Sequence, residues 1–248
     1  MLEKLLKPND NISKKYIIKY MKKTFPKIIV LAHHKTGSLF WNRILKRLQK
    51  KFELNLITIQ RKYFDEELND FIYGNWDICL QTHSSCSLKY VENIDFKCVH
   101  SIRNAANVIV SALKYHKFNK DEKWLHQKRK NFGGLSYQEK ILKFKNIEKE
   151  LNFEMNHASR YTIENMTKIT KDNSNQVLNV DLDIVSSDKE MKDFKNLFYF
   201  LRLEQLDNFN LQQWINLGKK EFLWNQQNLK NKPKLAKHIT RSDLANLL

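Results

Sequence analysis

The chain is poor in residues that mark disulfide-rich, metal-clamped or linker-rich proteins. Its 248 residues include only three cysteines, three prolines and five glycines. Because the cysteines are odd in number and show no CxxC spacing, neither a disulfide framework nor a zinc site is expected, and a reducing, cytoplasmic location is favoured. We find no internal repeat and no low-complexity linker. The composition therefore predicts one globular domain over 1–248.

Long apolar runs are also missing. No stretch approaches the ~20 consecutive apolar residues that a membrane-spanning helix needs. The first residues, MLEKLLKPNDNISKKY, lack the apolar core of a signal peptide. These absences predict a soluble protein without a membrane span.

Acidic residues are few relative to basic ones. Lys and Arg number 44 against 27 Asp and Glu, which gives a formal charge of +17 and a pI near 9.6. Such an excess predicts anionic partners, namely nucleic acid, a membrane surface, or phosphorylated or sulfated small molecules. The basic residues are spread along the chain, and no helix-turn-helix or zinc-finger signature appears. We therefore do not expect nucleic acid to be the partner.

Hydrophobic periodicity predicts an α/β protein. Short apolar strands alternate with amphipathic helices, which favours a three-layer fold around a mainly parallel five-stranded sheet. The predicted strands cover 27–32, 54–60, 77–83, 96–102 and 176–182. The predicted helices cover 38–52, 65–73, 104–117, one or two helices in 136–170, and 188–202. The remaining segments are a basic helical lead-in (1–26), an irregular candidate lid or acceptor loop (118–135) and a helical C-terminal segment (208–248).

A polar turn separates the first predicted strand from its helix. The apolar run Ile28–Ala32 leads into HHKTGS, and Ser38 is a candidate N-cap for the amphipathic segment that follows. Unpaired backbone N–H groups and the macrodipole make a helix N-terminus a good place for an anion. A Walker A loop needs lysine after glycine, whereas Lys35 precedes Gly37 here. The order argues against a nucleoside triphosphatase and leaves phosphate binding open.

Two further polar positions follow predicted strands. His83 ends the third strand and Arg103 ends the fourth, with Ser111 eight residues beyond Arg103. In a parallel sheet, ligands bind beyond the carboxyl ends of the strands, so Lys35, His83 and Arg103 are expected at one edge. Lysine can neutralise charge on a leaving oxygen, and a guanidinium can hold a phosphate with two parallel hydrogen bonds.

Four segments together resemble the sulfotransferases that use 3'-phosphoadenosine-5'-phosphosulfate (PAPS) as donor and release PAP. HHKTGSLFW resembles their 5'-phosphosulfate loop, and IRNAANVIVSALKYHK resembles their 3'-phosphate segment. CLQTH is similar to the strand that carries a catalytic histidine, and VDLDIVSSDKEMKDFKNLFYFL to the late strand and helix. The resemblance spans roughly residues 26–202. It implies transfer of a sulfuryl group to a hydroxyl or amine acceptor by in-line displacement, without a metal.

The resemblance also implies roles for individual residues. Lys35 would contact the leaving oxygen, His83 would take the acceptor's proton, and Ser111 would complete the catalytic set. The implied nucleotide contacts are the backbone of Thr36, Gly37, Ser38 and Leu39, the ring of Phe40 on adenine, and the side chains of Arg103 and Ser111 on the 3'-phosphate.

Several positions depart from the family pattern. Gln81 stands where the family has lysine, Ala105 where proline is common, and Asp181 near a position that is often tyrosine. The glycine-rich C-terminal segment is not recognisable, and Arg241 is a candidate remnant contact.

The residues leave alternatives open for the base, the acceptor and the activity. His33, His34 and Glu122 are rival bases. The expected acceptor is a hydroxyl of a small molecule, a carbohydrate or a lipid. The aromatic and basic segment 118–135 suits either an aromatic alcohol or an anionic sugar. The alternatives for the activity are a P-loop kinase or nucleotidase with magnesium at Asp181 or Asp183, and an inactive relative that keeps the nucleotide pocket.

Overall fold

The computed structural model describes residues 25–60, 65–84, 87–170, 175–188 and 190–230. Its strands are β1 (Lys27–Ala32), β2 (Leu56–Ile59), β3 (Ile78–Gln81), β4 (Phe96–Ile102), β5 (Lys128–Arg129), β6 (Leu135–Ser136) and β7 (Val177–Asp181). Five of them form one sheet in the order β2-β3-β1-β4-β7, and every pairing in it is parallel. The predicted five-stranded parallel sheet is confirmed.

Helices connect the strands and cover the sheet. They are α1 (Ser38–Phe52), α2 (Asp65–Tyr73), α3 (Ala105–Phe118), α4 (Lys123–His126), α5 (Tyr137–Leu142), α6 (Ile147–Asn156), α7 (Ala158–Thr170), α8 (Leu182–Ser187), α9 (Lys192–Phe200) and α10 (Leu211–Lys230). In the described ranges, none of the helices combines the length and apolar composition that crossing a bilayer requires.

The central strand β1 is buried on both faces, which makes the fold three-layered. Ile28 and Val30 point into a core shared with α1, α9 and α10. Ile29 and Leu31 point into a second core on the opposite face, where Phe71 is fully buried. Because successive strand residues alternate between faces, a strand between two layers must be apolar throughout. The apolar run in the sequence has this cause.

The segment 118–135 is more regular than the predicted loop. It contains α4 and the antiparallel hairpin β5–β6, with a 3-10 turn at 130–132 between the two strands. Its aromatic residues Trp124 and Phe132 pack into a third core with Tyr137 and Phe153. Local propensity missed this order because burial against α3 and α6 supplies the stability.

Several further predicted bounds differ from the structure. The strands predicted over 54–60 and 77–83 are the shorter β2 and β3, and the helix predicted over 188–202 is the shorter α9. The region 136–170 holds three helices rather than one or two, since Ser136 and Asn146 cap α5 and α6 separately. The last strand ends at Asp181, where the chain turns directly into α8. Within the predicted C-terminal helical segment, α10 is present; the lead-in up to residue 24, residues 231–248 and the candidate contact Arg241 lie outside the described residues.

Candidate active site

The turn between β1 and α1 depends on two residues with left-handed backbone. Lys35 has φ 66° and Gly37 has φ 93°. Gly37, rather than the predicted Ser38, is the N-cap of α1, and no side chain caps this helix end. The prediction for Ser38 is wrong because the left-handed Gly37 closes the turn one residue earlier. The helix therefore begins with an open anion-binding end.

Gly37 is also in close contact with another element. A Cβ atom at this position would overlap the side chain of Leu182, the first residue of α8. The turn is thus pressed against the carboxyl end of β7. Glycine is required here both for its backbone conformation and for the lack of a side chain.

Thr36 fixes the turn from inside. Its hydroxyl accepts from the His33 amide at 2.7 Å and donates to the His33 carbonyl at 3.1 Å. Its own amide donates to the same carbonyl, and its carbonyl accepts from the Ser101 hydroxyl at 2.7 Å. The Thr36 amide is therefore engaged within the turn. The helical ladder starts with Trp41 donating to Gly37, so the amides of Ser38 and Leu39 belong to the open first turn.

Arg103 joins the turn to the ends of β4 and β7. Its NH1 donates to the Lys35 carbonyl at 3.3 Å, and its Nε donates to Asp183 Oδ1 at 2.9 Å. The predicted meeting of the Lys35 turn with Arg103 is therefore present in the structure. Ser111 lies half-buried two turns further along α3, and its hydroxyl makes no hydrogen bond to Arg103.

A row of polar groups crosses the sheet beneath the turn and consists of two buried histidines and the exposed Asn179. His33 Nε2 lies 2.8 Å from His100 Nε2, and His100 Nδ1 lies 2.7 Å from Asn179 Oδ1. The Asn179 oxygen accepts, so His100 carries its proton on Nδ1 and accepts at Nε2 from His33. Burial, followed by His100, lowers the pKa of His33 to about 3. Because His33 is buried and its pKa is lowered, it is a poor rival base.

Three histidine rings stack beside Lys35. His34 lies parallel to His83 at 6.4 Å between centroids and to His116 at 5.0 Å. Burial, then His116 and Lys35, lowers the pKa of His34 to about 2. The Lys35 ammonium lies 4.2 Å above the ring of Tyr115. The predicted convergence thus includes His83, which is exposed two residues beyond β3.

Behind this stack lies a carboxylate that sequence reasoning missed. Glu154 is fully buried and accepts from His116 Nδ1 at 2.8 Å, from the Tyr137 hydroxyl at 3.1 Å and from the Ser159 hydroxyl at 2.7 Å. Burial and the adjacent carboxylate raise the pKa of Tyr137. The only sequence signal was an acidic residue on the apolar face of an amphipathic helix, beside Phe153.

The structure buries Phe40 and Gln81 and gives Glu122 a hydrogen-bond partner. Phe40 is 3% exposed and packs in the main core against Trp41, so its ring offers no face to an adenine. The expected stacking role for Phe40 is therefore not retained. Gln81 is fully buried in β3, and Glu122 accepts a hydrogen bond from the Tyr115 hydroxyl at 3.0 Å.

The fold is sulfotransferase-like. The structure matches the crystal structure of mouse sulfotransferase SULT7A1 complexed with PAP, with a TM-score of 0.53, over 90% of this chain and 72% of that chain. Sequence identity in the match is 12%, so the similarity establishes the fold alone. No protein-family model and no curated protein matches the sequence. In the described part of the chain, no group of three or more His, Cys, Asp or Glu side chains is placed to hold a metal ion.

Proposed function

We propose that the chain transfers a sulfuryl group from PAPS to a hydroxyl or amine acceptor and releases PAP. The observation that carries the proposal is the contact between Arg103 and the carbonyl of Lys35 at the carboxyl edge of a parallel sheet. This contact brings the Arg103 guanidinium to the lysine-containing turn that precedes the open N-terminus of α1, in a fold that a PAP-bound sulfotransferase shares. Two phosphates and a sulfuryl group are the kind of ligand that such a site suits.

In the proposed step the acceptor oxygen forms a bond to sulfur while the bond from sulfur to the phosphate oxygen breaks. Lys35 neutralises the charge that develops on that phosphate oxygen. The amides of Ser38 and Leu39, with the α1 dipole, hold the 5'-phosphate, and Arg103 with Ser111 holds the 3'-phosphate. Positioning and charge stabilisation supply most of the acceleration, as in phosphoryl transfer.

The proton of the acceptor goes to His83. Of the three candidate bases among the histidines near Lys35, His83 is the exposed one. Burial lowers the pKa of His33 to about 3 and that of His34 to about 2. Glu122 is already an acceptor for Tyr115. The exposed imidazole of His83, which stacks on His34 next to Lys35 in the chain, is therefore the best placed proton acceptor.

Magnesium-dependent phosphoryl transfer is less consistent with the site. Asp183, a candidate magnesium ligand, faces Arg103 Nε, the Asn104 amide and the Asn107 side-chain amide. Those three groups are donors, and they surround the carboxylate where a cation would need oxygen ligands.

Thermal unfolding with PAP, with ATP plus magnesium, and without ligand tests the donor assignment. A ligand at about 100 times its Kd stabilises the folded state by about 2.7 kcal/mol. We expect a clear rise in Tm with PAP. A rise with ATP plus magnesium and none with PAP would contradict the proposal and favour a kinase or nucleotidase.

Turnover of PAPS with a panel of phenols and sugars tests the catalytic roles. Lys35→Ala should lower kcat by about 100-fold or more, as removal of one stabilising group for a developing anion does elsewhere. His83→Ala should keep PAP binding and lose most turnover. Retained turnover in His83→Ala would move the base to another group, and PAP binding without turnover in the native chain would indicate an inactive relative.

A further inference from the structure

The carboxylate of Asp183 lies at the N-terminus of α3, between Arg103 and the N-cap residue Asn104. Its Oδ1 accepts from Arg103 Nε at 2.9 Å. Its Oδ2 accepts from the Asn104 amide at 3.2 Å and from Asn107 Nδ2 at 2.9 Å. Its donors are thus a guanidinium, the backbone amide of the N-cap residue of α3 and a side-chain amide, and groups of these kinds also bind a phosphate. Asp183 therefore makes the contacts that an external anion would make.

The chain holds Asp183 at this position from both sides. Asp181 pairs with Ile102 across β7 and β4, so the ends of these strands are in register. The Asp181 carboxylate then caps α8 by accepting from the Asp183 amide at 2.8 Å. Leu182, between them, packs against Gly37. The backbone of Asp183 is thus fixed by the same contacts that shape the turn between β1 and α1.

The side chain, in contrast, can leave. The Asp183 side chain is 28% exposed and that of Arg103 is 23% exposed, so the ion pair borders solvent. Partly exposed ion pairs contribute little net stability, and rotation of an aspartate side chain in the first turn of α8 needs no backbone change. An anion that competes for Arg103 therefore has to displace only the Asp183 side chain, and no helix or strand has to move.

We propose that Asp183 is an internal competitor for the 3'-phosphate of the nucleotide, so that in the free chain Arg103, one of the two proposed 3'-phosphate contacts, is engaged by the chain's own carboxylate. The inference rests on the proposed function, because it assigns the Arg103 end of the site to the 3'-phosphate. A carboxylate and a phosphate near one guanidinium repel each other, and this repulsion weakens binding of the nucleotide's 3'-phosphate. Asp183 thereby lowers affinity for PAP and sets how readily the product leaves.

Calorimetric titration of the full chain with PAP and with AMP tests the proposal. AMP carries the 5'-phosphate and lacks the 3'-phosphate. Asp183→Asn should bind PAP at least about tenfold more tightly than the native chain, a difference of about 1.4 kcal/mol. The same variant should change AMP affinity by less than about twofold, because the local competitor affects only the 3' end.

The control variant is Asp188→Asn. Asp188 accepts backbone hydrogen bonds from Glu190 and Lys192 at the start of α9, and its loss removes the same unit of charge. It should leave both affinities within about twofold. Asp183→Ala is a second variant that removes the carboxylate without adding an amide donor, and thermal unfolding checks that each variant is folded.

The outcomes separate the two proposals. Unchanged or weaker PAP binding in both folded Asp183 variants overturns the competition and makes Asp183 an orienting partner of Arg103. An equal gain for PAP and AMP also overturns it, since that result reports the general loss of negative charge. Absence of PAP binding in the native chain and in every variant contradicts the proposed function itself.

Discussion

Gly37 combines a left-handed backbone with a contact that leaves no room for a side chain. Gly37→Ala places a Cβ against Leu182 while keeping φ at 93°. The left-handed conformation alone costs an alanine about 1–2 kcal/mol, and the overlap adds a further term. We expect the free energy of unfolding in urea to fall by about 3 kcal/mol.

Gly134 provides the matched control for the steric term. It has φ 79°, and a Cβ there has nothing within 4 Å. Gly134→Ala should therefore lower the free energy of unfolding by about 1–2 kcal/mol, the cost of the left-handed backbone without any overlap. Equal losses for the two variants would mean that Leu182 moves aside at no cost and that the turn is not held by α8.

Glu154 is the residue whose loss should affect stability most. Glu154→Leu removes the acceptor for His116, Tyr137 and Ser159, all of which are buried. Breaking a buried charged network from one side costs about 3–5 kcal/mol. Urea unfolding should show a loss of this size, whereas Glu164→Leu, at an exposed position on the next helix, α7, should change stability by less than about 0.5 kcal/mol. A small loss for Glu154→Leu would mean that water replaces the carboxylate.

Elements with a strong period were predictable from the sequence, and those stabilised by distant contacts were not. β1, β4, α1 and α2 have the predicted bounds, because their apolar residues repeat with the period of a buried strand or an amphipathic helix. The hairpin β5–β6 has two residues in each strand and depends on packing of Phe132 into the third core. Two residues show no period, so local pattern cannot reveal such a hairpin.

The histidine row that joins β1, β4 and β7 should make stability depend on pH. The pKa of His33 is lowered to about 3 in the folded chain, while an unfolded histidine titrates near the ordinary value of 6.5. Between these values the unfolded chain binds the extra proton, so acid favours unfolding. Stability should be fully present above about pH 6.5 and fall by up to about 1.4 kcal/mol per pH unit for each such histidine below it.

Urea unfolding between about pH 4.5 and about pH 7.5 measures this slope. His33→Gln removes one titrating group and should flatten the dependence, whatever it does to stability at neutral pH. His126→Gln replaces an exposed histidine on α4 and should leave the slope of the native chain. A slope unchanged by His33→Gln would show that His33 is not held neutral by its burial.

The candidate site is assembled at the level of the whole molecule. Lys35, His83 and Arg103 could be predicted as neighbours because each follows a strand of one parallel sheet. The partner of Arg103 could not be predicted, and neither could the pair behind the histidine stack, since Asp183 meets Arg103 across 80 positions and Glu154 meets His116 across 38. Such pairs follow from the strand order and the packing of α3 on α6. The spacing of residues along the sequence does not reveal these pairs.

The excess positive charge is also a property of the whole molecule. A double variant distinguishes binding at a nucleotide site from general attraction to polyanions. Lys35→Ala with Arg103→Ala removes two of the 44 basic side chains. Under the proposed function local contacts determine PAP binding, so the double variant should weaken it by about 100-fold or more. Non-specific DNA binding depends on how many phosphates are neutralised in total, and it should change by less than about threefold. Titrations with PAP and with a random DNA duplex at one salt concentration measure both, and parallel losses would identify the +17 charge, rather than a built site, as the source of nucleotide affinity.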